Sequence, residues 1–136
     1  MKSIDYIIVI PARFDSKRLP GKALVDISGK TLIEHVFSAA SRSQARAIIV
    51  ATDSEKIKQV AENLKVKTVM TSANHVSGTD RIAEVAEIED WKGDQIIVNL
   101  QGDCPLMPPE NIDQVASLLF RNSDAGIATL ATKIVD

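Results

Sequence analysis

Unbroken aliphatic runs constrain this chain more than any other feature. "YIIVI" (6–10), "AIIVAT" (47–52) and "QIIVNL" (95–100) lack the polar alternation of a strand with one wet face. Continuous Ile/Val runs of this length belong to central strands of a parallel sheet, which helices cover on both faces. "KTVMT" (67–71) and "AGIATLAT" (125–132) read as two further strands. Between the runs, apolar residues recur three and four apart, the spacing of one helical face. Leu32, Ile33, Val36, Phe37 and Ala40 form one stripe, and Ile57, Val60, Ala61 and Leu64 a second. Ile82, Val85, Ala86 and Ile88 form a third, and Ile112, Val115, Leu118 and Leu119 a fourth. Thr52-Asp53-Ser54-Glu55 and Ser77-Gly78-Thr79-Asp80 have the form of capping boxes. Pro108-Pro109 suits the start of a helix at Glu110. Strand and helix in repeated alternation predict an α/β fold: three layers, with a mostly parallel sheet joined by right-handed crossovers.

At 136 residues the chain fits one domain. Its net charge of −2 argues against a general nucleic-acid binder, which carries an excess of basic residues. No apolar run approaches the roughly 20 residues needed to cross a bilayer. The start, "MKSIDYIIVIPARF", lacks the small-residue cleavage site of a signal peptide. A single cysteine, Cys104, has no partner for an intrachain disulfide. These features together predict a cytoplasmic protein that does not insert in membranes.

In an open parallel sheet, ligands bind beyond the carboxyl ends of the strands. Three such ends carry unusual residues. "PARFDSKRLPGK" after the first strand gathers Arg13, Lys17, Arg18 and Lys22 yet has neither a dinucleotide fingerprint nor a Walker spacing. It reads either as a solvated basic turn around Pro20-Gly21 or as an anion site. In the second case Arg13 offers a fork for phosphate oxygens, Lys22 a point charge and Gly21 close backbone approach. After the fourth strand, "QGD" places Asp103 where a hard divalent cation is held by a carboxylate and substrate phosphates. Gly102-Asp103 equally fits a turn before Pro105. "SGTDR" after the third strand either caps a helix or offers its positive end and Arg81 to an anion. His75 reads as a loop residue, His35 as packing or surface, and Cys104 has no identifiable base beside it.

Taken in order, "IPARFDSKRLPGKAL", "VATD", "MTSANHVSGTDRIAEV" and "VNLQGDCPLMPPENI" resemble the N-terminal half of the 3-deoxy-manno-octulosonate (Kdo) cytidylyltransferase family. The resemblance runs over essentially the whole chain. It implies a Rossmann-like fold of the nucleotide-diphosphosugar-transferase kind, with residues 1–136 as the CTP-binding half and the C-terminal half absent. It implies the reaction CTP + Kdo → CMP-Kdo + pyrophosphate, with Mg2+, in lipopolysaccharide biosynthesis. By matching position, Arg13 and Lys22 hold the triphosphate, with Pro11 and Ala12 lining the nucleotide. Met70, Ser77, Gly78, Arg81 and Gln101 hold the cytidine and position the sugar acid, and Asp103 ligates magnesium. Arg13, Lys22 and Asp103 are thus the catalytic set, and the partners are CTP, Kdo and, in the full-length form, a second copy of the chain. Attack of the anomeric hydroxyl on the α-phosphorus calls for in-line positioning and charge neutralisation rather than a covalent nucleophile. No Ser–His or Cys–His arrangement was found in the sequence, in keeping with this.

Three positions depart from the family pattern: Ala23 where proline is usual, Ser72 in place of an arginine, and Cys104 in place of an acidic neighbour of the metal ligand. The last two bear on substrate identity and metal electrostatics. The chain ends at Asp136, just after the presumed fifth strand, so the resemblance implies a fragment, a truncated product or one half of a split protein. Two alternatives stand beside the Kdo reading: a non-catalytic nucleotide-binding or assembly module, and a cytidylyltransferase for another acidic sugar such as 8-amino-Kdo.

Overall fold

The computed structural model describes residues 6–13, 22–72, 74, 78–91, 95–100, 110, 112–114 and 127–129. In chain order these form β1 (Tyr6–Pro11), a 3-10 turn (Lys22–Leu24), β2 (Asp26–Ile27), β3 (Lys30–Thr31) and α1 (Leu32–Ser41). Then come β4 (Ala47–Thr52), α2 (Glu55–Asn63), β5 (Lys67–Met70), α3 (Gly78–Ile88), β6 (Ile96–Asn99) and β7 (Ile127–Thr129). Residues 110 and 112–114 are helical and precede β7. The major sheet has the order β5-β4-β1-β6-β7, and every neighbouring pair in it is parallel.

The aliphatic runs fill both faces of this sheet. Ile8 pairs in register with Ile48 on one side and Val98 on the other. That row packs with Ile10, Val50 and Leu100 against Ile33, Val36 and Ala40 of α1, Ile57 and Ala61 of α2, and Ile112. The alternate residues Ile7, Val9, Ile49, Ala51, Val69 and Ile97 pack on the opposite face against Ile82 and Val85 of α3. Each fully buried Ile or Val contributes about 1.5–3 kcal/mol of transfer free energy. The face each helix takes follows from the sheet order. α1 and α2 serve successive steps outward from β1 to β5 and share a face. α3 serves the reverse step, from β5 back to β6, and a crossover of fixed hand then places it on the other face.

Local chemistry sets the ends. Ser54 caps α2, its side chain accepting from the Ile57 N–H at 3.3 Å. The cap is therefore two residues later than the Thr52 of the expected capping box, and with Ile57 at the third helical position it is a simple N-cap. Thr52 instead completes β4, its carbonyl accepting from the Thr71 N–H, while its Oγ1 accepts from the Ser54 N–H at 3.1 Å. After α2, Lys65 sits at φ 63°, with Val66 N–H on the Ala61 carbonyl and Lys65 N–H on that of Glu62, a Schellman closure. Asp90 at φ 53° closes α3 in the same way, with Trp91 N–H on Ala86 and Asp90 N–H on Glu87. Ile88, assigned to the buried stripe of α3 by its spacing, is 53% exposed, because it lies in the last turn, where the chain is already leaving the sheet.

The antiparallel pair β2–β3 has no counterpart among the expected elements. Its two-residue connection, Ser28-Gly29, has φ of 56° and 90°, and the Gly29 N–H donates to the Asp26 side chain at 2.9 Å. Positive φ at both loop residues is what a tight hairpin requires. At the amino end of the sheet, the buried Tyr6 hydroxyl donates to Asp113 Oδ1, which also accepts from the Gln44 N–H at 2.9 Å. Burial, reinforced by the hydrogen bond and charge of Asp113, pushes the Tyr6 phenol up from its ordinary range. This contact fastens the helical residues around 113 to the start of β1.

Candidate functional site

All strands of the major sheet run in one direction, so their carboxyl ends emerge along one edge. Three hydrogen bonds extend the ladder past the strand ends there: Ala12 N–H to the Ala51 carbonyl, Thr71 N–H to Thr52, and Leu100 N–H to Val9, at 2.9, 2.9 and 3.0 Å. The first residue after β1, β5 and β6 is thus held in the ladder as the strand itself is. From β1 the chain steps one way to β4 and β5, and β6 and β7 lie on the other side. β1 and β6 therefore border the topological switch point, where loops on adjacent strands diverge and leave a crevice. The loop beginning at Ala12-Arg13 and the loop following Leu100 spring from these two adjacent strands, about 5 Å apart.

Among the sequence-predicted residues, Pro11 closes β1 and is buried, Ala12 is 4% exposed, and Arg13, the next residue, is exposed. Lys22 opens the 3-10 turn that leads to the hairpin before α1. Met70 ends β5, half-buried, two strands from β1 and so about 10 Å across the edge. Gly78 is the first residue of α3, and Arg81 lies in its first turn. Ser77, Gln101 and Asp103 lie outside the described residues, as do Lys17, Arg18, His75 and Cys104. Among the described residues no group of three His, Cys, Asp or Glu side chains could hold a metal ion.

The best-defined polar arrangement at this edge is the connection from β5 to α3. Arg81 is only 3% exposed. One of its guanidinium nitrogens donates to Thr71 Oγ1 and to the Ser72 carbonyl, the latter at 3.0 Å. Glu84, one turn further on, accepts from the Ser72 N–H at 3.0 Å, and Ser72 Oγ accepts from the Asn74 N–H at 3.1 Å. Thr52, Thr71 and Asn99 are buried polar residues along the same edge. Glu84 escaped the sequence reading because its partner is twelve residues away in the chain. Its one local signal is the i, i+3 spacing from Arg81, which puts both on one helix face. His35, by contrast, is structural: its Nε2 is 2.7 Å from the Ile27 carbonyl, tying α1 to the hairpin. No helix among the described residues is long and apolar enough to cross a membrane.

Comparison with known proteins bears on the family and the fold. The family model described as cytidylyltransferase matches residues 7–136. A 3-deoxy-manno-octulosonate cytidylyltransferase of Coxiella burnetii (strain RSA 493 / Nine Mile phase I) is 48% identical over 133 residues, covering 98% of this chain and 53% of the relative. One from Cellvibrio japonicus (strain Ueda107) is 50% identical over 131 residues, covering 96% and 51%. Among solved structures, a CMP:2-keto-3-deoxy-manno-octonic acid synthetase complexed with CTP superposes with a TM-score of 0.78 at 38% identity. That match covers 89% of this chain and 48% of the other. The chain spans about half the length of the curated relatives it matches.

Proposed function

The chain belongs to the cytidylyltransferase family, and from that premise we propose that residues 1–136 are the CTP-binding half of an enzyme that transfers CMP from CTP to Kdo. The observation that carries this reading is the sheet order, which sets the end of β1, with Ala12 and Arg13 following it, beside the end of β6, with Leu100 following it; in the sequence these lead into the basic stretch and into "QGD". The relatives' names support Kdo as the acceptor, and the CTP complex of a similar structure supports CTP as the donor.

In this reading Arg13 and Lys22 neutralise the triphosphate, with Pro11 and Ala12 lining the nucleotide. Met70, Ser77, Gly78 and Gln101 border the cytidine and the sugar acid; Arg81, given the same role by the resemblance, is bound to Thr71 and Ser72. Asp103, a hard carboxylate following a strand, has the donor chemistry for Mg2+ shared with phosphate oxygens. An ion held there would neutralise negative charge on the pyrophosphate leaving group. The anomeric hydroxyl of the sugar attacks the α-phosphorus and loses its proton, the α–β bridging bond breaks, and pyrophosphate leaves with the bond's electron pair. The reading places the protein in the cytoplasm, in lipopolysaccharide biosynthesis, with a homodimer as the full-length form.

Titration calorimetry with CTP and Mg2+ tests the binding claim. Lys22→Ala removes one charge-assisted contact worth about 1.5–3 kcal/mol, so affinity should fall by about 10–100-fold. Absence of binding at millimolar CTP, or equal binding by Lys22→Ala, refutes the assignment. Pyrophosphate release across a panel of sugar acids tests the acceptor: preference for 8-amino-Kdo or a sialic acid over Kdo overturns that part of the reading.

A further inference from the structure

The segment between β5 and α3 is held by two charged side chains of opposite sign on one helix face. Arg81 donates to Thr71 Oγ1 and to the Ser72 carbonyl, while Glu84 accepts from the Ser72 N–H. Each charge meets the main-chain atom of matching polarity, so both backbone polar groups of Ser72 are engaged by α3. Thr71 is anchored from the other side, its N–H donating to the Thr52 carbonyl at 2.9 Å. The chain leaving β5 is therefore fixed to the sheet at one residue and to the helix at the next.

We propose that Arg81 and Glu84 are positioning residues for nucleotide binding, holding Thr71 and Ser72 in the shape that receives the cytidine rather than touching it themselves. The proposal rests on the reading of this edge as a nucleotide site. Its physical basis is pre-organisation: a loop already ordered in the free protein is not ordered at the ligand's expense. The near-complete burial of Arg81 supports the assignment, because a guanidinium withdrawn from solvent and committed to Thr71 and Ser72 acts through those groups. Ser72 contributes its backbone to the brace and its hydroxyl accepts from the Asn74 N–H, so the order continues past the strand end.

The test uses the full 136-residue chain and two readouts: CTP affinity by calorimetry with Mg2+, and amide hydrogen exchange of Ser72 without ligand, both at a temperature where thermal melts show each variant folded. Glu84→Ala removes the acceptor and is expected to weaken CTP by about tenfold, equivalent to about 1.4 kcal/mol, and to speed Ser72 exchange. Glu84→Gln keeps an oxygen at the same reach and is expected to restore both readouts. That rescue is something a purely packing role would not produce. Arg81→Lys keeps the charge but loses the fork; it is the second arm if Glu84→Ala does not fold, and it is expected to weaken CTP and accelerate the Ser72 amide. Parent-like CTP binding by Glu84→Ala, or Gln failing to rescue, overturns the proposal. If the parent itself binds no CTP, the nucleotide reading and the assigned role in nucleotide binding fall together. Unchanged Ser72 exchange in Glu84→Ala overturns the brace whatever CTP does.

Discussion

Replacing Tyr6 by phenylalanine removes one oxygen from the amino end of the sheet and leaves the ring in place, so it opens no cavity. Tyr6 is 1% exposed, and its hydroxyl donates to the half-buried Asp113 carboxylate. A hydrogen bond to a charged group contributes about 1.5–3 kcal/mol. Because Asp113 keeps the Gln44 N–H at 2.9 Å, its carboxylate is not stranded, and the lower figure applies. An unfolding entropy of about 2.1 cal/mol/K per residue, over 136 residues, turns about 1.5 kcal/mol into a fall of about 5 °C in Tm.

The same contact gives a pH signature. Burial and Asp113 raise the folded-state pKa of the phenol above its unfolded value of about 10. The associated stability is fully present below that value and is lost as pH rises above it, because only the unfolded chain ionises readily. At about 1.36 kcal/mol per pKa unit, the gap between parent and Tyr6→Phe should shrink by about 1.4 kcal/mol by pH 11. Urea unfolding at pH 8 and pH 11 measures the gap. Tyr6 is the chain's only tyrosine, so phenolate absorbance of the folded protein reports this group alone. A loss below about 0.5 kcal/mol at pH 8, outside the range expected for such a bond, or a folded-state phenol titrating at its ordinary pKa would refute the reasoning.

Three further substitutions probe the fold. Lys65→Gly relieves an exposed non-glycine residue at φ 63°, and the strain released exceeds the added unfolded-state entropy, so urea unfolding should show a gain of about 0.5–1 kcal/mol. Ser54→Ala removes the acceptor for the Ile57 N–H and should cost about 1 kcal/mol, again read by urea, with far-UV circular dichroism reporting any fraying of α2. Ile57→Ala empties a fully buried position between α2 and the sheet, with an expected loss of about 2–5 kcal/mol in calorimetric or urea unfolding.

The sheet was legible because burial on both faces selects continuous Ile/Val runs at 7–10, 48–50 and 96–98, with polar Thr52 and Asn99 only at the carboxyl ends of their strands. β4 was read to the residue; β1 and β5 each differed by one residue at an end. The hairpin was not, because strands of two residues carry no periodicity; only Ser28-Gly29 marks it. Thr52 misled because its type suits a cap, but its place is decided by the strand it ends: once the Thr52 carbonyl pairs with Thr71, Ser54 is left to cap the helix.

For the candidate site, sequence identifies the loops and topology identifies their neighbours. Ala12 and Leu100 lie 88 positions apart in the chain, and nothing in the sequence around either says that they adjoin. The adjacency follows from Val9 facing Asn99 across β1 and β6, a register set by aliphatic packing far from any charge. The brace follows the same logic at shorter range. Arg81 was visible as a cation near a helix start, but its commitment to Thr71 and Ser72 depends on β5 ending beside that helix, and Glu84 acquires meaning only then. Candidates for carrying charge to a ligand can thus be named from type and spacing. Residues that hold those loops in place become visible only when the fold supplies their partners, so a substitution such as Glu84→Ala has an effect that the sequence pattern alone does not predict.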